Sequence, residues 1–146
     1  MDNSMLTKQD KAIAGITLAH GILGILWVFG VASQIGYPTV FISVNLVLAI
    51  AGIVAGIGWF KRKLWAAYLA LAFYLVQLVH VLTPTFQWSF TLGFNLNIGL
   101  GWIDSGQLAL NLFALVMLIW TTSRAFAPNN SFKPSPLRGL GAGAQD

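Results

Sequence analysis

The stretch FQWSFTLGFNLNIGLGW, residues 86–102, alternates strictly between apolar side chains and small or polar ones. Every even-numbered position in it is apolar, and none of the residues between them carries a charge. A period of two residues is the pattern of an extended chain with one apolar and one polar face. This segment therefore predicts β-structure.

Charged side chains are rare in the rest of the chain and are confined to short segments. Only 8% of the 146 residues are charged, whereas an average soluble domain has about 25%. Residues 12–60 contain no charge, and residues 64–123 contain only Asp104. Four apolar runs remain, each close to the roughly 20 residues with which a helix crosses a bilayer. They are residues 12–33, 38–60, 64–83 and 105–123. The sequence predicts an all-α integral membrane fold, an antiparallel bundle of four transmembrane helices.

The basic residues give this bundle an orientation, because Lys and Arg accumulate in cytoplasmic segments. All eight lie before the first run, between the second and third, or after the fourth: Lys8, Lys11, Lys61, Arg62, Lys63, Arg124, Lys133 and Arg138. We expect both termini to be cytoplasmic in a plasma or bacterial inner membrane. The alternating segment should face outward. Basic residues split among three short segments do not predict a nucleic-acid partner.

The alternating segment is too long for one ordinary strand, so residues 85–103 are expected to form an outer hairpin. A turn near residues 93–95 would pair residues 85–92 with residues 96–103. The apolar face would either pack on the outer helix ends as a lid or form an interaction surface for lipid or a partner. The large side chains of such a surface are Phe86, Trp88, Phe90, Phe94 and Trp102.

Six polar residues are expected in the outer third of the bundle, since a helix rises about 1.5 Å per residue. They are Asn45, Gln77, His80, Asp104, Gln107 and Asn111. Intramembrane polar groups are candidates for a ligand site or an outward vestibule. The alternative is structural: amides bond between helices, and Asp104 with Gln107 has the spacing of a capping box for the fourth helix.

Local signals complete the organisation. Thr7 and Asp10 predict a capping box at the first helix, and the pair Gly52 and Gly56 permits close helix approach within the chain or between copies. Residues 1–127 are expected to form the membrane domain, and residues 128–146, rich in Pro, Gly, Asn and Ser, a flexible cytoplasmic tail.

Nothing in the sequence predicts catalysis. The chain has no cysteine and shows no phosphate loop or nucleophile with its base. His20 and His80 would lie about 10 Å apart in depth, so a shared haem is not expected, and no cofactor or metal is predicted. The first functional hypothesis is a non-enzymatic accessory or interaction subunit of a membrane complex. The second is an oligomeric transporter or channel protomer.

Overall fold

The computed structural model describes residues 6–90, 92–102, 106–127 and 132, without the side chains of residues 31–33 and 87. The first half of the chain is helical. It comprises α1 (Lys8–Trp27), a π-helical turn (Val28–Ala32), the short α2 (Ser33–Ile35) and α3 (Thr39–Phe60). Two shorter helices follow, α4 (Leu64–Val76) and α5 (Leu112–Ala125). The chain between them forms four strands: β1 (Val79–Leu82), β2 (Gln87–Trp88), β3 (Asn97–Trp102) and β4 (Gly106–Asn111).

Helix α1 begins with the predicted capping box. The Thr7 hydroxyl accepts a hydrogen bond from the Asp10 backbone N–H at 3.2 Å, and the Asp10 carboxylate accepts one from the Thr7 N–H at 3.3 Å. Asp10 is buried and also receives two hydrogen bonds from the Arg124 guanidinium, both of 3.1 Å. This bidentate pair joins the start of α1 to the end of α5.

Glycines allow α1 and α3 to pack closely. A Cβ atom at Gly21 would lie 2.6 Å from the Ala49 carbonyl oxygen, and one at Gly56 would lie 2.8 Å from Leu18. One at Gly52 would lie 2.8 Å from the Phe73 ring of α4. Gly52 and Gly56 are therefore buried in contacts within the chain, and a second copy has no access to them.

The prediction of an all-α fold is wrong, because the chain combines helices with a small sheet, and the four helical spans are not confirmed. Two helical segments, Lys8–Gly30 and Thr39–Phe60, are long and apolar enough to cross a membrane; within the described residues α4 and α5 are shorter. The expected third span, residues 64–83, is helical only to Val76 and continues as β1. The expected fourth, residues 105–123, is the strand β4 before α5 begins at Leu112. A short apolar run does not by itself distinguish helix from strand, and here pairing between β1 and β4 decides.

The expected hairpin pairing is also wrong. The sheet has the order β2-β1-β4-β3 with all neighbours antiparallel, so the two strands expected to pair, β2 and β3, form its opposite edges. The chain does turn at Gly93, which has φ +63°. However, Val81 is opposite Trp88, and Ile98 is opposite Leu110.

The sheet presents its apolar face outward. The residues on this face are Val79, Val81, Trp88, Ile98, Leu100, Trp102, Leu108 and Leu110. Leu100 is 72% exposed and Ile98 is 64% exposed. The opposite face carries His80, Ala109 and Asn111, which are buried. The apolar face of the sheet therefore points away from the helices.

The expected tail, residues 128–146, lies outside the described residues except for Phe132. Phe132 is described, and its ring packs edge-on against Trp59 with 5.1 Å between centroids.

Candidate functional site

The interior of the protein contains an unusual share of polar side chains. Most of its apolar members are small, with alanines at positions 14, 49, 55, 66, 67, 70, 109, 114 and 125. The buried polar residues are Asp10, Thr17, His20, Asn45, Gln77, His80, Asn111 and Thr121. Large apolar side chains, among them Leu26, Phe29, Val40, Val47 and Ile119, lie on the exposed surface of the helices.

Leu92 closes the end of the helical interior that adjoins the sheet. This residue of the alternating stretch is fully buried. It packs against Gly24 of α1 so closely that a Cβ atom on Gly24 would lie 3.0 Å from the Leu92 side chain. Its backbone N–H donates to Gln77 Oε1 at 3.3 Å, and its carbonyl oxygen accepts a hydrogen bond from His20 Nε2. Helix α1 and the residue that follows α4 thus both hold this one peptide segment.

His20 is the residue that the sequence did not single out for the site. Its ring lies 5.2 Å from that of Phe113, 5.4 Å from Phe73 and 5.9 Å from Tyr74. Because a carbonyl oxygen can only accept, Nε2 carries the hydrogen and Nδ1 holds the lone pair. Nδ1 has no hydrogen-bond partner among the described residues. A Cβ atom at Gly93 would lie 2.9 Å from His20 Cδ2, so a glycine of the alternating stretch allows this ring to approach it.

Three of the six expected site residues meet where the helices change into strands. Gln77 follows α4, His80 lies in β1, and Asn111 ends β4. The Asn111 N–H donates to the Leu78 carbonyl at 2.8 Å, and the His80 ring bonds to the Ser89 hydroxyl at 3.0 Å.

Asn111 is the N-cap of α5, the role expected of Asp104. Its Oδ1 accepts from the Ala114 N–H at 3.2 Å and from the Leu96 N–H at 3.4 Å. It therefore fixes the start of α5 and the entry into β3 together.

The other three expected site residues do not join this group. Asn45 is fully buried in α3 and donates to the Phe41 carbonyl at 2.8 Å. Gln107 is exposed in β4, so the capping box expected at Asp104 and Gln107 does not start a helix. Asp104 lies outside the described residues.

The expected interaction residues are mostly on the surface. Phe86, Trp88, Phe94 and Trp102 are exposed, and Phe90 is half-buried with its ring 4.9 Å from that of Trp88. Of these five, Trp88 and Trp102 belong to the apolar face of the sheet.

The described residues contain no group of three or more His, Cys, Asp or Glu side chains that could hold a metal ion. Compared with protein-family models, with curated proteins and with solved structures, the chain matches none. What the site can do must therefore be argued from its geometry. Amide and imidazole groups hold backbone segments by hydrogen bonds inside the protein, and the sheet exposes an apolar face.

Proposed function

We propose that the protein is a small non-enzymatic integral membrane protein, an interaction subunit that contacts its partner through the outer face of the sheet. Both termini would be cytoplasmic. The units α4–β1 and β4–α5 would each cross the bilayer as a helix in the inner part and a strand in the outer part.

The observation that carries this proposal is the outward apolar face of a sheet whose inward face holds His80 and Asn111. In water the opposite arrangement is favoured, since burial of apolar surface stabilises the folded state. In hydrocarbon, polar groups must find partners inside the protein. The exposed leucines and valines of α1 and α3 extend the same pattern around the molecule.

The transporter alternative has less support. Its expected vestibule comprised Asn45, Gln77, His80 and Asn111, and all four side chains are buried and hydrogen-bonded to the chain itself. These contacts fit the structural interpretation of the polar residues better than an open pathway.

The test is affinity purification of tagged protein from membranes in a mild detergent. We expect a stoichiometric partner, and we expect Leu108→Lys to lose it because a charge would enter the centre of the apolar face. Gln107→Lys is the matched control, since residue 107 is exposed on the opposite face of the same strand and the partner should be retained.

Recovery of the protein alone, or equal recovery of the partner with both lysine variants, would contradict the interaction role. Release of the protein from membranes by an alkaline carbonate wash would contradict membrane integration.

A further inference from the structure

Within the part of the chain that the structure describes, strand β3 has one unpaired edge. All six of its residues are exposed, and β4 is its one neighbour in the sheet. The Leu112 N–H donates to the Leu96 carbonyl at 2.8 Å, which sets the phase of the β3–β4 ladder. Even-numbered residues therefore bond to β4, because bonding direction alternates along an antiparallel strand. The N–H and C=O groups of Asn97, Gly99 and Gly101 point to the free edge.

An edge of this kind needs a partner if the proposed function is right and the sheet lies in the outer half of the bilayer. Open sheet edges do not occur in hydrocarbon, since each unsatisfied backbone group is costly there. Proteins protect free edges with charges, prolines or very short strands. Strand β2, at the other edge, has two residues, whereas β3 has six and carries neither charge nor proline.

We propose that this edge pairs with β3 of a second copy of the chain, antiparallel and centred on Gly99. The inference rests on the proposed membrane location of the sheet. Gly99 would face Gly99 of the partner subunit, and Asn97 would face Gly101 of the partner subunit. This register uses all three outward-pointing residues, and two-fold pairing is the commonest symmetry of protein oligomers.

The side chains are self-complementary in that register. On the apolar face Ile98 would lie opposite Leu100 of the partner subunit, and Leu96 opposite Trp102 of the partner subunit. On the polar face the Asn97 amide would lie over Gly101 of the partner subunit, which has no side chain. Residues 86–102 contain no charge, so two copies meet without repulsion. An apolar face would then run continuously across eight strands.

The first test removes one N–H group from the free edge of β3 and leaves the hydrogen bonds between β3 and β4 intact. Gly101→Pro should reduce the dimer fraction in lipid nanodiscs by about tenfold or more, because proline lacks the N–H and its ring obstructs a paired strand. Gly101→Ala is the matched control. It keeps the N–H, and its Cβ atom would be 3.9 Å from the nearest neighbour, the Gly106 carbonyl oxygen.

The second test uses the absence of native cysteine. Two differently tagged copies, one Ile98→Cys and the other Leu100→Cys, should form a disulfide in membranes on mild oxidation. Opposite residues at such positions have Cα atoms about 4.5 Å apart, within disulfide range. Either variant paired with itself should cross-link several-fold less, since diagonal neighbours are about 7–8 Å apart. Leu108→Cys, on the same face but inside the sheet, should not cross-link.

A monomer in nanodiscs, an unchanged dimer fraction in Gly101→Pro, or equal cross-linking by Leu108→Cys would overturn the proposal. Cross-linking of β3 to a different protein would also overturn it, since the edge would then belong to that partner. These failures are separable from failure of the proposed function. In them the protein would still resist carbonate extraction, and Leu108→Lys would still release the heterologous partner.

Discussion

At the scale of the residue, members of one sequence pattern have opposite roles. Leu92 and Leu100 occupy equivalent positions in the alternating stretch, yet Leu92 is fully buried against α1 and Leu100 is 72% exposed. The difference arises from two hydrogen bonds, from His20 and to Gln77, which hold the Leu92 peptide inside. No periodicity of hydrophobic residues encodes that choice.

We therefore expect Leu92→Ala to lower the free energy of unfolding by about 3 kcal/mol, because a buried leucine leaves a cavity. Leu26→Ala, at an exposed side chain of α1 outside the proposed interfaces, should change it by less than about 0.5 kcal/mol, as is usual for surface sites. Unfolding of the purified protein in detergent micelles measures both. Equal losses for the two variants would show that Leu92 does not close the interior.

At the scale of the element, α1 and α3 owe their close approach to particular glycines. Gly21→Ala should destabilise the protein by about 2 kcal/mol, because its Cβ atom would lie 2.6 Å from the Ala49 carbonyl oxygen. Gly15→Ala should stabilise it by about 0.5 kcal/mol, since no atom lies within 4 Å and alanine favours helix. Opposite signs in the same unfolding measurement are the expected result. Two variants of equal stability would contradict the packing of α1 on α3.

How much of the fold the sequence predicts depends on whether local or distant contacts decide each element. The capping box at Thr7 and the two long apolar helices follow from local pattern and are present. The strand nature of the alternating segment is also present in β2 and β3. Strands β1 and β4 are not predictable in this way, because each is apolar enough for a helix and becomes a strand through the other.

The residues of the candidate site also differ in whether local sequence or distant contacts reveal them. Gln77, His80 and Asn111 were recognisable as polar residues in an apolar setting, and the structure brings them together. The hydrogen bond from His20 was not predictable, because it depends on the position of the Leu92 carbonyl in the folded chain. Four of the five aromatic residues are exposed, but the sequence left open whether they would form a lid or a surface, and it did not predict the strand pairing.

At the scale of the whole molecule, orientation in the membrane is the property to measure. In the proposed orientation, which rests on the basic residues, Lys63 would lie on the cytoplasmic side and Thr85, between β1 and β2, on the outer side. Single cysteines at these two exposed positions can be labelled selectively, because the chain contains no other. In intact cells an impermeant maleimide should label Thr85→Cys at least about tenfold faster than Lys63→Cys, consistent with a bilayer barrier to charged reagents.

Permeabilised cells provide the control, since both cysteines should then react at similar rates. Equal labelling in intact cells would contradict the orientation, and the reverse preference would invert it.

The pairing of β1 with β4 also has a consequence for the timing of biogenesis. Val79 is opposite Leu110, so the first strand emerges from the ribosome well before the strand that completes its hydrogen bonds. Contacts between distant parts of a chain form late, because the intervening loop must close first. Until synthesis passes Asn111, the described residues offer β1 only the two residues of β2 as a strand partner. A ribosome stalled between these strands would hold an apolar segment whose sheet is not yet formed. Quality-control proteases would have their best access to the segment at that stage.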